Sequence, residues 1–150
     1  MIPNYGVRQM SPEIADKLRN SIKKHEGFRQ YLYTDSTGNA SIGYGRNLHA
    51  VGISITEADI LLGDDITNAT MELYRFLPLA QDLDDVRKAV LIEFTFNIGI
   101  EKVLQFRAMI KALEEKDYKA AAAAMLDSEW AKQVHSRAND MSYSMETGIL

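Results

Sequence analysis

Apolar positions recur at helical spacing through most of the chain. Ile14, Leu18 and Ile22 fall four apart on one face, with Lys17, Arg19, Lys23 and Lys24 on the others, which predicts an amphipathic helix over residues 12–26. Ser11 is placed to cap it, Pro12 suits the first helical position, Glu13 complements the positive end of the helix dipole, and Gly27 stands just past its end. The pattern then changes. Tyr31-Leu32-Tyr33 reads as a strand, residues 35–39 (DSTGN) are turn chemistry, and residues 40–45 (ASIGYG) read as the returning strand. The paired glycines of that return suggest bends, or close approach of a ligand to backbone. Residues 46–55 are a mixed loop or a third short strand, and residues 1–10, which show no period, are expected to form an arm or a packed extension.

A second helix is predicted over about residues 56–75, with Thr56 as its cap and Glu57 and Asp59 in its first turn. Its apolar residues, Ala58, Leu62, Ile66, Ala69, Leu73 and Phe76, come at steps of three and four, and Asp64, Asp65 and Asn68 face solvent. A helix of this length can join two lobes. Asp82 or Asp84 then caps a third helix that ends at Gly99. From Ala89 to Ile98 it is apolar almost all round, apart from Glu93, Thr95 and Asn97, which is the pattern of a central buried helix. Short helices are expected over about 101–105, 107–115, 117–126, 129–134 and 137–146. The sum is an α+β protein, mostly α, with one small antiparallel sheet near the N-terminus.

Composition narrows the function classes. With 150 residues, 46% hydrophobic and 25% charged, the chain has the balance of one globular domain. A formal net charge of −4 argues against nucleic acid as the main partner. No apolar run approaches the ~20 residues of a membrane span, so stable membrane insertion is not expected. The first residues lack the apolar core of a secretory signal, so synthesis in a cytoplasm, or removal of a signal, is expected. There is no Cys, hence no disulfide framework and no thiolate nucleophile. His25, His49 and His135 lack metal-motif spacing, and residues 35–39 are too short and acid-poor for an EF-hand loop. Nucleophile-elbow, phosphate-loop and dinucleotide motifs are absent. The reading therefore includes neither metal nor cofactor.

What remains is a group of oxygen-bearing side chains where helix gives way to hairpin. Glu26 lies four on from Ile22, at the end of the apolar stripe, where a desolvated carboxyl could stay protonated. Asp35 sits in a wetter turn and can remain ionised, and Ser41 could hold a water. Hydrolysis of a glycosidic bond needs such a pair of carboxyls in unlike environments. Taken alone the spacing is weak, because acids nine apart followed by a serine are common. Phe94 and Phe96 read as core, with one of them able to reach a cleft, and Trp130 reads as packing between short helices rather than as a sugar platform.

The run Glu26-Gly27-Phe28-Arg29, Tyr33, Asp35, Gly38, Ser41-Ile42-Gly43-Tyr44-Gly45 resembles the phage-type lysozymes, glycoside hydrolase family 24. The resemblance continues through residues 84–99, Phe106, residues 128–130 and Arg137-Ala138, and covers about residues 12–148 in the same order. It implies a lysozyme-like fold in a single domain, 1–150. A small sheet lobe (about 27–55) and a larger helical lobe (about 77–150, with the helix at 12–26) are joined by a long helix (about 56–76) and face a cleft. It implies a muramidase, an endolysin hydrolysing the β-1,4 bond between N-acetylmuramic acid and N-acetylglucosamine in peptidoglycan. Glu26 takes the general-acid position, Asp35 that of the second carboxylate, and Ser41 the water-positioning place in what looks like an inverting mechanism. Gly45, Arg46, Phe96, Asn97 and Arg137 match substrate-side positions, Arg137 matching an arginine close to the acid.

The same resemblance implies peptidoglycan glycan strands as the partner and a monomer, free or carried by partner proteins. It implies synthesis in a host cytoplasm and action on the wall in the periplasm, by way of a holin or a delivery particle. The chain departs from the family pattern where Ser41 replaces Thr, where Arg46 replaces a His, in a short segment between Gly45 and Thr56, and in its acidic charge. The alternative reading is a lysozyme-fold module kept for wall or partner binding.

Overall fold

The computed structural model describes residues 10–150. The N-terminal arm expected over residues 1–10 lies, but for Met10, outside them. The described residues form eight α-helices, one 3-10 turn and three strands, an α+β architecture that is mostly helical. They divide into two compact units, Met1–Glu57 and Ala58–Leu150.

In the first unit, α1 (Pro12–Glu26) starts where the cap residue predicts, with Ser11 Oγ accepting from the Ile14 N–H at 3.5 Å. Gly27, at φ +70, ends it and donates its N–H to Lys23 O. Strands β1 (Arg29–Thr34), β2 (Ala40–Gly43) and β3 (Arg46–Asn47) form an antiparallel sheet in chain order, so the mixed segment 46–55 does contain a third strand. The register pairs Arg29 with Gly43, Tyr33 with Ser41, Ser41 with Asn47 and Ile42 with Arg46, with an irregularity between Arg29 and Tyr33.

Two expectations are corrected in this unit. Within this unit nothing buries the apolar stripe of α1, and Ile14, Leu18 and Ile22 are 45–49% exposed. The sheet supplies twelve residues (6 + 4 + 2) against a helix of fifteen, too little apolar surface to cover it. The cap of the next helix is Ser54, not Thr56. Helix α2 (Ile55–Phe76) begins one residue earlier than expected, and Ser54 with Glu57 forms a reciprocal capping box. The Glu57 N–H donates to Ser54 Oγ at 3.1 Å, and the Ser54 N–H donates to Glu57 Oε2 at 2.7 Å.

In the second unit only Ala69 and Leu73 of α2 are buried, while Leu62, Ile66 and Phe76 stay partly exposed. A 3-10 turn, Pro78–Asp82, leads to α3 (Asp85–Ile98), for which Asp84 is the cap. There follow α4 (Ile100–Val103), α5 (Arg107–Glu114), α6 (Tyr118–Leu126), α7 (Glu129–Val134) and α8 (Ser136–Thr147), close to the predicted ranges. Val90, Leu91, Phe94 and Thr95 of α3 are buried, and the Phe94 ring meets Phe106 edge-to-face at 4.8 Å and Trp130 at a tilt at 4.5 Å. Around them Leu73, Val103, Met109, Met125 and Met145 complete one apolar core. No helix among the described residues is long and apolar enough to cross a membrane.

One polar side chain ties the two ends of this core together. Arg87 donates to Met145 O at 2.7 Å and Glu146 O at 2.8 Å, satisfying carbonyls at the C-terminal end of α8. It also pairs with Asp84 at 2.8 Å, and its guanidinium lies 3.6 Å from the centre of the Tyr118 ring. Partial burial works to raise the Asp84 carboxyl, but the hydrogen bonds from Arg87 and its charge outweigh this and hold it below the usual value. Arg87→Met keeps the stem and removes every donor. It should lower the unfolding free energy by about 2–3 kcal/mol. Urea titration followed through Trp130, the sole tryptophan, measures this, and a change below about 0.5 kcal/mol would show that the clamp is dispensable.

Candidate active site

The end of α1 and the β2–β3 hairpin meet at Glu26 and Gly45. A Cβ built on Gly45 would lie 2.7 Å from Glu26 Oε2 and 3.2 Å from its Cδ, so the carboxyl rests against glycine backbone. Gly45 is also at φ +76, where a side chain is strained in any case. The Arg29–Gly43 pairing brings the chain leaving α1 back beside this hairpin, and the Tyr44 ring stands 5.6 Å from Phe28 and 5.5 Å from the Lys23 ammonium. Glu26 itself is exposed, which differs from the desolvated setting expected at the end of a buried stripe. Within this unit that face of α1 has no cover.

Asp35 opens the β1–β2 turn and is held by it. Its Oδ1 accepts from the Thr37 N–H (2.9 Å), the Thr37 hydroxyl (2.8 Å) and the Asn39 N–H (2.8 Å). Oδ2 accepts from Asn39 Nδ2 at 3.4 Å. The Asn39 N–H, then the Thr37 hydroxyl, lower the carboxyl below its ordinary value, with the remaining Thr37 and Asn39 donors adding to them against desolvation. Asp35 is an ionised carboxylate whose Oδ2 keeps lone pairs for a water or a hydroxyl.

Ser41 is the only buried residue among residues 10–57, at 1% exposure, between Tyr33 on β1 and Asn47 on β3. Arg46 pairs backbone to backbone with Ile42 and turns its side chain to the start of α2. Its Nε donates to Gly52 O at 3.0 Å, and its Nη2 to Glu57 Oε2 at 2.7 Å. The Ser54 N–H most of all, then the Ser54 hydroxyl and Arg46, keep the Glu57 carboxyl below the ordinary value against desolvation.

The remaining predicted residues belong to the second unit. Phe96 is 43% exposed, whereas Phe94, the other candidate, is fully buried. Asn97 is half-buried and accepts the Trp130 indole N–H at 2.7 Å, which fixes its amide and confirms packing as the use of Trp130. Arg137 donates through Nε to Glu93 Oε1 at 3.1 Å, on a pair about half exposed. Glu26, Asp35, Ser41, Gly45 and Arg46 thus share one unit, and Phe96, Asn97 and Arg137 the other.

Four supporting residues were not singled out in the sequence. Thr37 and Asn39 read only as turn formers, although Asp with Thr two residues on is the signal of a side chain closing its own turn. Ser54 and Glu57 carry the S-x-x-E spacing of a capping box, two residues ahead of the cap expected at Thr56.

A sequence model of the phage lysozyme family matches residues 23–141, most of the chain. "Probable T4-type lysozyme 1" of Dictyostelium discoideum is 28% identical over 166 positions, which span 91% of this chain and 98% of that protein. "Probable T4-type lysozyme 2" of the same organism is 26% identical over 91% of this chain and 98% of its own length. "Pre-baseplate central spike protein Gp5" of Enterobacteria phage T4 is 25% identical over 89% of this chain, and the match covers 28% of that larger protein. The family's match therefore contains both carboxyls, the hairpin and the buried helix, and the chain belongs to the phage lysozyme family, as a lysozyme-type glycoside hydrolase.

Proposed function

We propose that the chain is a muramidase that cleaves the β-1,4 bond between N-acetylmuramic acid and N-acetylglucosamine in peptidoglycan, as one lysozyme domain over 1–150. The observation that carries this reading is the pair of unlike carboxyls in one unit: Asp35, kept ionised by its turn, and Glu26, set against the bare backbone of Gly45. Glu26 gives its proton to the leaving glycosidic oxygen. Asp35 takes a proton from the attacking water, Ser41 holds that water, and the bond inverts at the sugar carbon. Gly45 admits the glycan close to the backbone. Phe96, Asn97 and Arg137 supply an exposed ring, an amide and a cation that suit the faces and acetamido groups of a glycan strand. No step calls on a metal or cofactor. The net charge of −4 gives no attraction to an anionic wall, so contact with it depends on the glycan site itself.

The relation to Gp5 favours a second reading of the setting, not of the chemistry. That relative is named as a pre-baseplate central spike protein, and this suits a chain whose chemistry is carried on a particle. Light scattering on the isolated chain together with its lytic activity separates the two, since a free enzyme clears cells as a monomer.

Two results are expected of the site. Clearing of purified peptidoglycan should fall by at least about a hundredfold in Glu26→Gln, the scale of a lost general acid. Equal clearing by wild type and variant would remove Glu26 from the role, and NMR of the first product should show the inverted anomer. The second result concerns pH. The Thr37 hydroxyl favours the charged form of Asp35, so Thr37→Val raises that carboxyl toward its ordinary value. The acid limb of kcat/KM should then move to higher pH, and a limb that stays in place in a folded variant would mean that Asp35 is not the base.

A further inference from the structure

We infer that Glu57 and Arg46 form a positioning pair for the reaction, fixing the hairpin residue next to Gly45 and so holding Gly45 against the Glu26 carboxyl. The inference rests on the reading of Glu26 as the acid and adds two residues to its support.

Gly45 touches the carboxyl, and Arg46 is the next residue. The hairpin closing at residues 43–45 has two glycines at positive φ, +68 and +76, so its own backbone is soft and needs to be fixed from outside. On one side Tyr44 lies against Phe28 and Lys23, next to the end of α1. On the other side the fixing group is the Arg46 guanidinium. Its Nε is taken by Gly52 O and its Nη2 by Glu57 Oε2, and that same oxygen receives the Ser54 N–H. Val51 and Gly52 donate to Asn47 O and Leu48 O, so the segment that carries Gly52 is itself folded onto β3. The first turn of α2, the capping box and the hairpin are thereby one hydrogen-bonded unit with Gly45 at its edge.

A purely stabilising role explains this poorly. The two side chains are 38% and 43% exposed, and an ion pair at that exposure adds little to folding. Direct binding of the sugar by Arg46 is also poorly served, because two of its three nitrogens are already engaged. What the pair does fix is a direction: it sets where β3 leaves the hairpin. A shift of the hairpin would move the glycine away from the acid, and misplacement on the scale of an ångström costs on the order of a hundredfold at worst.

Glu57→Gln is the informative change. Glutamine can still accept the Ser54 N–H, as capping boxes with Gln do, but it no longer pairs with Arg46 as a charge. On a soluble peptidoglycan glycan fragment, kcat should fall by about five- to tenfold, at a KM and a thermal midpoint close to wild type, a fraction of the worst-case misplacement cost. Arg46→Lys, which keeps the charge opposite Glu57, should retain more kcat than Arg46→Gln. An unchanged kcat in Glu57→Gln overturns the inference, as does a raised KM at wild-type kcat, which would make Arg46 a substrate contact. Equal kcat in Arg46→Lys and Arg46→Gln overturns it as well. Glu26→Gln runs beside them. If that variant is inactive while Glu57→Gln has wild-type kcat, the positioning role alone fails. If Glu26→Gln is active, the assignment of the acid fails with it.

Discussion

The contact that everything in the first unit serves is the carboxyl of Glu26 resting on Gly45. With 2.7 Å between Oε2 and the place of a Cβ, no other residue fits there without displacing the acid. That single requirement explains several local features. Helix α1 must stop at Glu26, and Gly27 stops it by taking a conformation with φ +70. The chain must return as a strand within a short distance, and the Arg29–Gly43 pairing accomplishes that. The hairpin must present bare backbone to the carboxyl, and Gly45 is the residue that does so.

The two units are held together by different physics. The second has a continuous apolar core, with Phe94 between Phe106 and Trp130 and the fully buried Leu73, Leu91, Val103, Met109, Met125 and Met145 in the same cluster. Its polar groups are arranged to release that core from unsatisfied helix ends, as Arg87 does for α8 and Asn97 for the indole of Trp130. The first unit buries one residue, a serine, among those described. Its order comes instead from short-range hydrogen bonds: the Asp35 turn, the Ser54–Glu57 box and the Arg46 fork. Such bonds add only about 1 kcal/mol each to stability, but each fixes a direction closely.

Most of the helical architecture was legible because it is written in local terms. Ser11, Asp84, Asp117 and Ser128 each accept from the N–H three residues on, and glycines stand at the ends of α1, α3 and α8. Periodicity then located the buried helix α3. Burial was less legible, since a stripe such as Ile14, Leu18 and Ile22 states what a helix could bury and not what is there to cover it. The carboxyls were found by type and family pattern, and their surroundings were not. The difference between Thr56 and Ser54 as cap is a shift of two residues, because both positions carry a hydroxyl and both precede acids. Only the hydrogen bonds decide between them. Arg46 was placed on the substrate side by the family resemblance, which does not show that its side chain pairs with a carboxyl eleven residues on.

The electrostatics of the site are correspondingly local. Asp35 and Glu57 are both held below the ordinary carboxylate range, and in both the largest cause is a backbone N–H no more than four residues away. Donors at 2.7–2.9 Å act well inside the ~8 Å screening length of physiological salt, so ionic strength hardly reaches them. The net charge of −4 works at the opposite range: it is felt across the surface and is screened by the same salt. Two consequences separate. Added salt weakens the repulsion between an acidic protein and an anionic wall and so favours encounter, while the protonation of Asp35 stays where its turn sets it. An acidic lysozyme therefore need not give up its chemistry to keep its charge, because the groups that tune the carboxylates are peptide N–H dipoles and hydroxyls with no net charge of their own.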